Sequence, residues 1–168
     1  MIKSLSGGLD IFLQPGEWYF GEGNTRVRTT LGSCVAIVLW HPVRRIGGMC
    51  HYMLPSRGRP SDEPLNGRYG DEALELLLNE IRQAGTRLQE YELKLFGGAN
   101  MFSPETRRDD DVPSRNVAFA RELLQRYRLR AVAESLGGVG YRQLIFDIST
   151  GDVWMRQGSG ALNANEQA

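Results

Sequence analysis

Val35-Ala36-Ile37-Val38-Leu39-Trp40-His41-Pro42-Val43-Arg44-Arg45-Ile46-Gly47-Gly48-Met49-Cys50-His51-Tyr52-Met53-Leu54 is the stretch that decides the fold. Val35 to Trp40 is an apolar, β-branched run, His41 to Arg45 has the composition of a turn, and Ile46 to Leu54 returns as a second apolar run. Two such runs joined by a turn read as an antiparallel hairpin. A turn centred between Pro42 and Val43 sets Cys34, at the mouth of the first strand, directly opposite His51. Opposed residues have Cβ atoms about 4.5–5.5 Å apart, within reach for a thiol and an imidazole to exchange a proton. Cys50 neighbours His51 and, by strand alternation, faces the other way, into packing.

Working outward, further strands are expected at Glu17–Phe20, Glu92–Phe96, Ala131–Glu134, Gln143–Ile148 and Val153–Met155, each bounded by turn residues. Leu74, Leu77, Leu78 and Ile81 have helical spacing, with Asp71 placed to cap the start and Gly85 to end the helix. Val117, Ala120, Leu123, Leu124 and Tyr127 repeat the pattern behind Ser114, a second candidate cap. Ser149 to Asp152 reads as a hairpin turn, and Ser56–Gly70 and Ser103–Pro113 as surface loops. Strands, helix, strand, helix, strands is the order of an α/β protein. One domain is expected over residues 1–157, and residues 158–168 have almost nothing to pack and read as a disordered tail.

Composition narrows the function. At 168 residues one core suffices, burying roughly 70% of the unfolded chain's surface. Lys+Arg and Asp+Glu balance at 20 each, which removes the broad attraction that nucleic acid or an anionic membrane requires. No apolar run is long enough to span a bilayer, so no membrane insertion is expected and the cytoplasm is the expected compartment. Two cysteines, Cys34 and Cys50, fit reduced thiols in that compartment rather than a disulfide framework.

A free thiol with a pKa near 8.5 is mostly protonated at neutral pH, so Cys34 needs a base, and His51 supplies one. The resulting thiolate–imidazolium pair suits attack on a carboxamide carbon, leaving a thioester on Cys34 that water hydrolyses. Backbone N–H groups around Ser33 and Cys34 are placed to hold the oxyanion, and Gly32 lets that backbone approach a substrate. His41, before a proline in a turn, reads as solvated. Cys34, His41, Cys50 and His51 lack the paired-cysteine spacing of common zinc sites, so no metal and no other cofactor is expected.

The segments LGSCVAIVLWHP and GGMCHYMLP, Arg68-Tyr69-Gly70-Asp71, KLFGGANMF at Lys94–Phe102, Arg115-Asn116, and Leu136-Gly137-Gly138 through Thr150-Gly151 closely resemble the CheD family of bacterial chemoreceptor glutamine deamidases. The resemblance implies a layered α/β/β sandwich of mixed or antiparallel sheets with two main helices. It also implies conversion of selected receptor glutamines to glutamate with release of ammonia, the cytoplasmic domain of a methyl-accepting chemoreceptor as substrate, and in some members a CheC-type phosphatase as partner. Carried over, Cys34 matches the family nucleophile and His51 its base. A threonine shortly before the cysteine is the third family residue, and Thr29 and Thr30 compete for it, with Thr29 favoured. The alternative to an enzyme is a non-catalytic module that regulates a CheC-type phosphatase.

Overall fold

The structure is a computed structural model, and it describes residues 2–5, 8–58, 60, 62–101 and 108–159. In chain order the elements are β1 (Ile2–Leu5), β2 (Gly8–Leu13), β3 (Trp18–Glu22), β4 (Thr25–Leu31), β5 (Val35–His41), β6 (Ile46–Tyr52), α1 (Gly70–Gln83), β7 (Glu92–Gly97), α2 (Val112–Arg126), β8 (Ala131–Leu136), β9 (Tyr141–Asp147) and β10 (Val153–Gly158). They form two five-stranded sheets, ordered β1-β2-β4-β9-β10 and β3-β6-β5-β7-β8. Both sheets are mixed, because β2 lies parallel to β4 and β7 parallel to β8 among otherwise antiparallel pairs. Helices α1 and α2 cover the outer face of the β5-containing sheet, giving the α/β/β layering that the family resemblance implies.

Strand alternation divides the core in two. Val35, Ile37 and Leu39 of β5, with Cys50 and Tyr52 of β6, face the helices and meet Leu74, Leu77, Ile81, Phe119 and Leu123. Ala36 and Val38, with Met49 of β6, face the second sheet and meet Val27, Leu31, Leu144 and Phe146. A central strand buried on both faces has no polar side to show, which is why Val35–Leu39 reads as an unbroken apolar run. Among the described residues no helix is long and apolar enough to cross a membrane.

The expected strands are all present, some longer than their apolar cores, and β1, β2 and β4 are additions. Strand β4, Thr25-Arg26-Val27-Arg28-Thr29-Thr30-Leu31, alternates strictly between buried and more exposed positions, but two of its four inward residues are threonines, so its apolar signal is thin. Helix α1 starts one residue before Asp71, which lies in the first turn, and Tyr69 occupies the cap position with no side-chain cap. Gly85, with φ of +72°, ends it as expected, the Thr86 N–H returning to the Ile81 carbonyl. Helix α2 is capped by Asp111 rather than Ser114: the Asp111 carboxylate accepts the Ser114 N–H at 3.0 Å, and Pro113 sits in the first turn, where its missing N–H costs nothing. The tail expectation falls from residue 160 onward outside the described residues, while Gly158 still belongs to β10.

Candidate active site

The β5–β6 hairpin places the site, but in a register different from the expected one. Its turn occupies Pro42 to Arg45, with Arg45 in the left-handed region at φ of +53°, and His41 pairs with Ile46. His51 therefore lies opposite Ala36, not Cys34. The correction displaces Cys34 by two residues, and since side chains alternate with period two it leaves Cys34 and His51 on one face. Cys34 indeed packs on the inter-sheet cluster that contains Ala36. The two are diagonal neighbours, a relation that spans roughly 7–8 Å between backbones and stays within reach of longer side chains.

Three elements converge on His51. Its backbone is held by the β2–β3 connection, the His51 N–H donating to the Glu17 carbonyl and its own carbonyl accepting the Gly16 N–H. Its ring reaches across the sheet interface to Thr29 on β4, with Nδ1 and Oγ1 2.6 Å apart. The Thr29 hydroxyl also donates to the Leu13 carbonyl at 2.9 Å. A hydroxyl carries one proton and a carbonyl can only accept, so the proton goes to Leu13 and Thr29 Oγ1 must accept from His51. Neutral His51 is thereby fixed with its proton on Nδ1 and its lone pair on Nε2. That Nε2 is buried and has no hydrogen-bond partner among the described residues. Burial also lowers the imidazole pKa to about 4, so the ring is neutral at physiological pH.

Thr30, the competing threonine, points from the opposite face of β4 and makes no such contact, because adjacent strand residues diverge. Cys50 is fully buried beneath the helices, and burial pushes its thiol up to about 12. His41 is not solvated as expected: it is 7% exposed at the far end of β5, where its Nδ1 accepts the Val43 and Arg44 N–H groups and its Nε2 donates to Glu90. It holds the hairpin turn closed. The four Cys and His residues thus do not converge, and among the described residues no group of three His, Cys, Asp or Glu side chains is placed to hold a metal ion.

Cys34 lies in the short β4–β5 connection, partly exposed, with burial raising its pKa and a hydrogen bond from the Ser33 side chain opposing that rise. Burial thus disfavours the charged form of both groups, opposing the thiolate–imidazolium pair expected from the residue types alone. Around it the carbonyls of Gly32, Ser33 and Cys34 are all occupied, by the Ala99 N–H, by Asn116 Nδ2 and by the Gly98 N–H. Among the described residues the N–H groups of Ser33 and Cys34 have no partner. Gly32 is set close to Met101, whose sulfur would lie 3.0 Å from a Cβ there.

The wall facing Cys34 is Gly97-Gly98 at the end of β7. Gly97 has φ of +117°, and a Cβ on it would stand 2.1 Å from the Cys34 carbonyl oxygen, so only glycine fits. Arg142 on β9 crosses between the sheets to hold this corner, donating to Gly97 O, Gly137 O and Ser135 Oγ. Burial lowers the Arg142 pKa. Asn116, quoted above only as part of a resemblance, is wholly buried at the start of α2 and ties Ser33 to Met53. No composition or spacing rule singles it out, since a buried helical asparagine and a solvated one look alike in sequence.

Comparison with known proteins identifies the family. Residues 53–157 match the family described as CheD chemotactic sensory transduction. The chain is 53% identical over 152 residues to a probable chemoreceptor glutamine deamidase CheD 3 of Dechloromonas aromatica (strain RCB), covering 90% of this chain and 89% of the relative. It is 50% identical over 151 residues to a probable chemoreceptor glutamine deamidase CheD 1 of Chromobacterium violaceum, covering 89% and 78%. It is 49% identical over 157 residues to a probable chemoreceptor glutamine deamidase CheD of Pseudomonas fluorescens (strain SBW25), covering 92% and 88%. The family match begins after both Cys34 and His51, but an alignment spanning nine-tenths of the chain has no room to leave either out. With more than half of the chain matched to the family and near-full-length relatives at about half identity, this chain belongs to the CheD family.

Proposed function

We propose that the protein hydrolyses glutamine side chains of chemoreceptor cytoplasmic domains to glutamate, in the cytoplasm, through a thioester on Cys34. The observation that carries this reading is the fixed tautomer of His51: Thr29 occupies Nδ1, and the buried lone pair of Nε2 is left unpartnered on the face shared with Cys34. A neutral base with no competing partner can take the Cys34 proton as the sulfur attacks the carboxamide carbon. The carbonyl π electrons move onto oxygen, which the free N–H groups of Ser33 and Cys34 receive. Collapse of this intermediate expels the amine, which takes the proton from His51 Nε2 and leaves as ammonia. Water then gives a proton to Nε2, attacks the thioester, and releases glutamate and the Cys34 thiol. Thr29 steadies the imidazolium that forms in each half-reaction.

The test is incubation of the purified chain with a receptor cytoplasmic fragment, with ammonia release and the one-dalton gain at glutamine read together. Cys34→Ala should abolish both, and undiminished turnover by that variant would refute the nucleophile. A second reading, a non-catalytic module that regulates a CheC-type phosphatase, is favoured by one observation: burial raises the Cys34 pKa, and its hydrogen bond comes from Ser33 rather than going to His51. Phosphatase binding that survives Cys34→Ala, with no ammonia from the wild type on any receptor fragment, is the result that reading requires.

A further inference from the structure

Three consecutive carbonyls flank the nucleophile, and their tethers are not equivalent. Gly32 O and Cys34 O are held by main-chain N–H groups of Ala99 and Gly98, which no side-chain substitution removes. Ser33 O, between them, is held by a side chain, Asn116 Nδ2, at 2.9 Å. The second Nδ2 proton goes to the Met53 carbonyl at 2.8 Å. Both partners are carbonyls and can only accept, so the amide orientation is fixed and Oδ1 is left buried with no partner among the described residues. An asparagine that leaves one polar atom unsatisfied in order to satisfy two backbone carbonyls is costly for stability alone.

A trans peptide points its C=O and N–H in opposite directions within one plane, and the described chain has no cis bond. Holding the Ser33 carbonyl toward α2 therefore turns the Cys34 N–H away from α2, leaving it free to donate. Without Asn116 no other hydrogen bond among the described residues holds the Ser33 carbonyl, and a rotated peptide would present it where an oxyanion has to be received. We propose that Asn116 is a positioning residue that keeps the Ser33–Cys34 peptide oriented as an oxyanion donor. The proposal rests on the thioester reading above and adds to it a residue that touches neither the substrate nor the reacting sulfur.

The experiment compares Asn116→Ala and Asn116→Ser with the wild type in three measurements on the full chain: kcat and KM for ammonia release from a receptor fragment, the rate of Cys34 alkylation by iodoacetamide, and the thermal melt. Alkylation is a displacement at saturated carbon, which needs the thiolate but no oxyanion donor. In the alanine variant kcat should fall about 100-fold, the usual effect of losing one such donor, with KM and the alkylation rate unchanged. The serine variant, which keeps one hydroxyl donor, should recover part of the loss. Unchanged kcat, alkylation that falls in step with kcat, or loss of the cooperative melt in both variants would overturn the proposal and leave Asn116 a purely structural residue. An inactive wild type is a separate result, refuting the deamidase reading itself.

Discussion

Replacing Thr29 by valine keeps the shape and removes one oxygen, which makes it the sharpest probe of how His51 is held. Thr29 and His51 are 1% and 2% exposed, so no water is at hand to replace the lost hydroxyl. Two buried groups lose a hydrogen bond: the Nδ1–H of His51, at 2.6 Å, and the Leu13 carbonyl, at 2.9 Å. An orphaned buried polar group costs about 1–3 kcal/mol, partly offset here by a buried methyl, so a net loss on the order of 2 kcal/mol is expected. For a chain of this length that lowers the melting temperature by roughly 4–8 °C. The catalytic effect is separate. A hydrogen bond to an ionised group is worth about 1.5–3 kcal/mol, and Thr29 supplies one to the imidazolium, so kcat should fall about 10- to 150-fold. Ammonia release from a receptor fragment measures the effect on the reaction, calorimetry the effect on the fold, and Thr29→Ser should restore both by returning the hydroxyl. A valine variant that melts lower yet turns over at the wild-type rate would refute the argument that Thr29 sets the tautomer.

The depressed pKa of His51 makes stability depend on pH with a definite sign. Between about 4 and the ordinary 6.5 the unfolded chain binds a proton that the folded chain does not, so stability is complete above 6.5 and declines as pH falls toward 4, by an amount on the order of 3 kcal/mol. Urea midpoints across that range should show the decline in the wild type and a smaller one in His51→Gln; parallel curves would remove His51 as its source. Gly97→Ala drives a Cβ into the Cys34 carbonyl at a φ hostile to side chains, and should cost at least about 2 kcal/mol and slow Cys34 alkylation together; a variant as stable as the wild type would contradict the packing of that corner. Glu72, 3% exposed, takes two hydrogen bonds from Arg57 and one from the Asn66 N–H, pinning the β6–α1 connection to α1. Glu72→Ala should therefore expose that connection to protease, and an unchanged cleavage rate would show that the ion pair is dispensable.

Much of the fold was legible because its elements carry their own signals. The buried β5 run, the helical spacing of Leu74, Leu77, Leu78 and Ile81, and the glycine that ends α1 each follow from local physics that operates before any tertiary contact forms. The misplaced features are those where one element settles another's detail. Asp111 displaces Ser114 as a cap because a carboxylate preceding Val112-Pro113 reaches the Ser114 N–H, and β4 carries little strand signal because its inward threonines conceal the apolar face.

For the site, sequence by itself determined that Cys50 and His51 face opposite ways, because parity along one strand is a local property. That Cys34 shares the face of His51 rests on the hairpin register, and it holds because the observed register differs from the expected one by two residues, an even number. Only the tertiary structure decided the rest, because the partners come from distant strands and helices: Thr29 reaches His51 across the sheet interface, Leu13 takes the hydroxyl proton that fixes the tautomer, and Asn116 reaches Ser33 from 83 positions away. Burial, which lowers the His51 pKa and raises that of Cys34, is likewise a property of the assembled layers. No single segment carries it, since the water that would have kept these groups ordinary is excluded only when both sheets and both helices are in place.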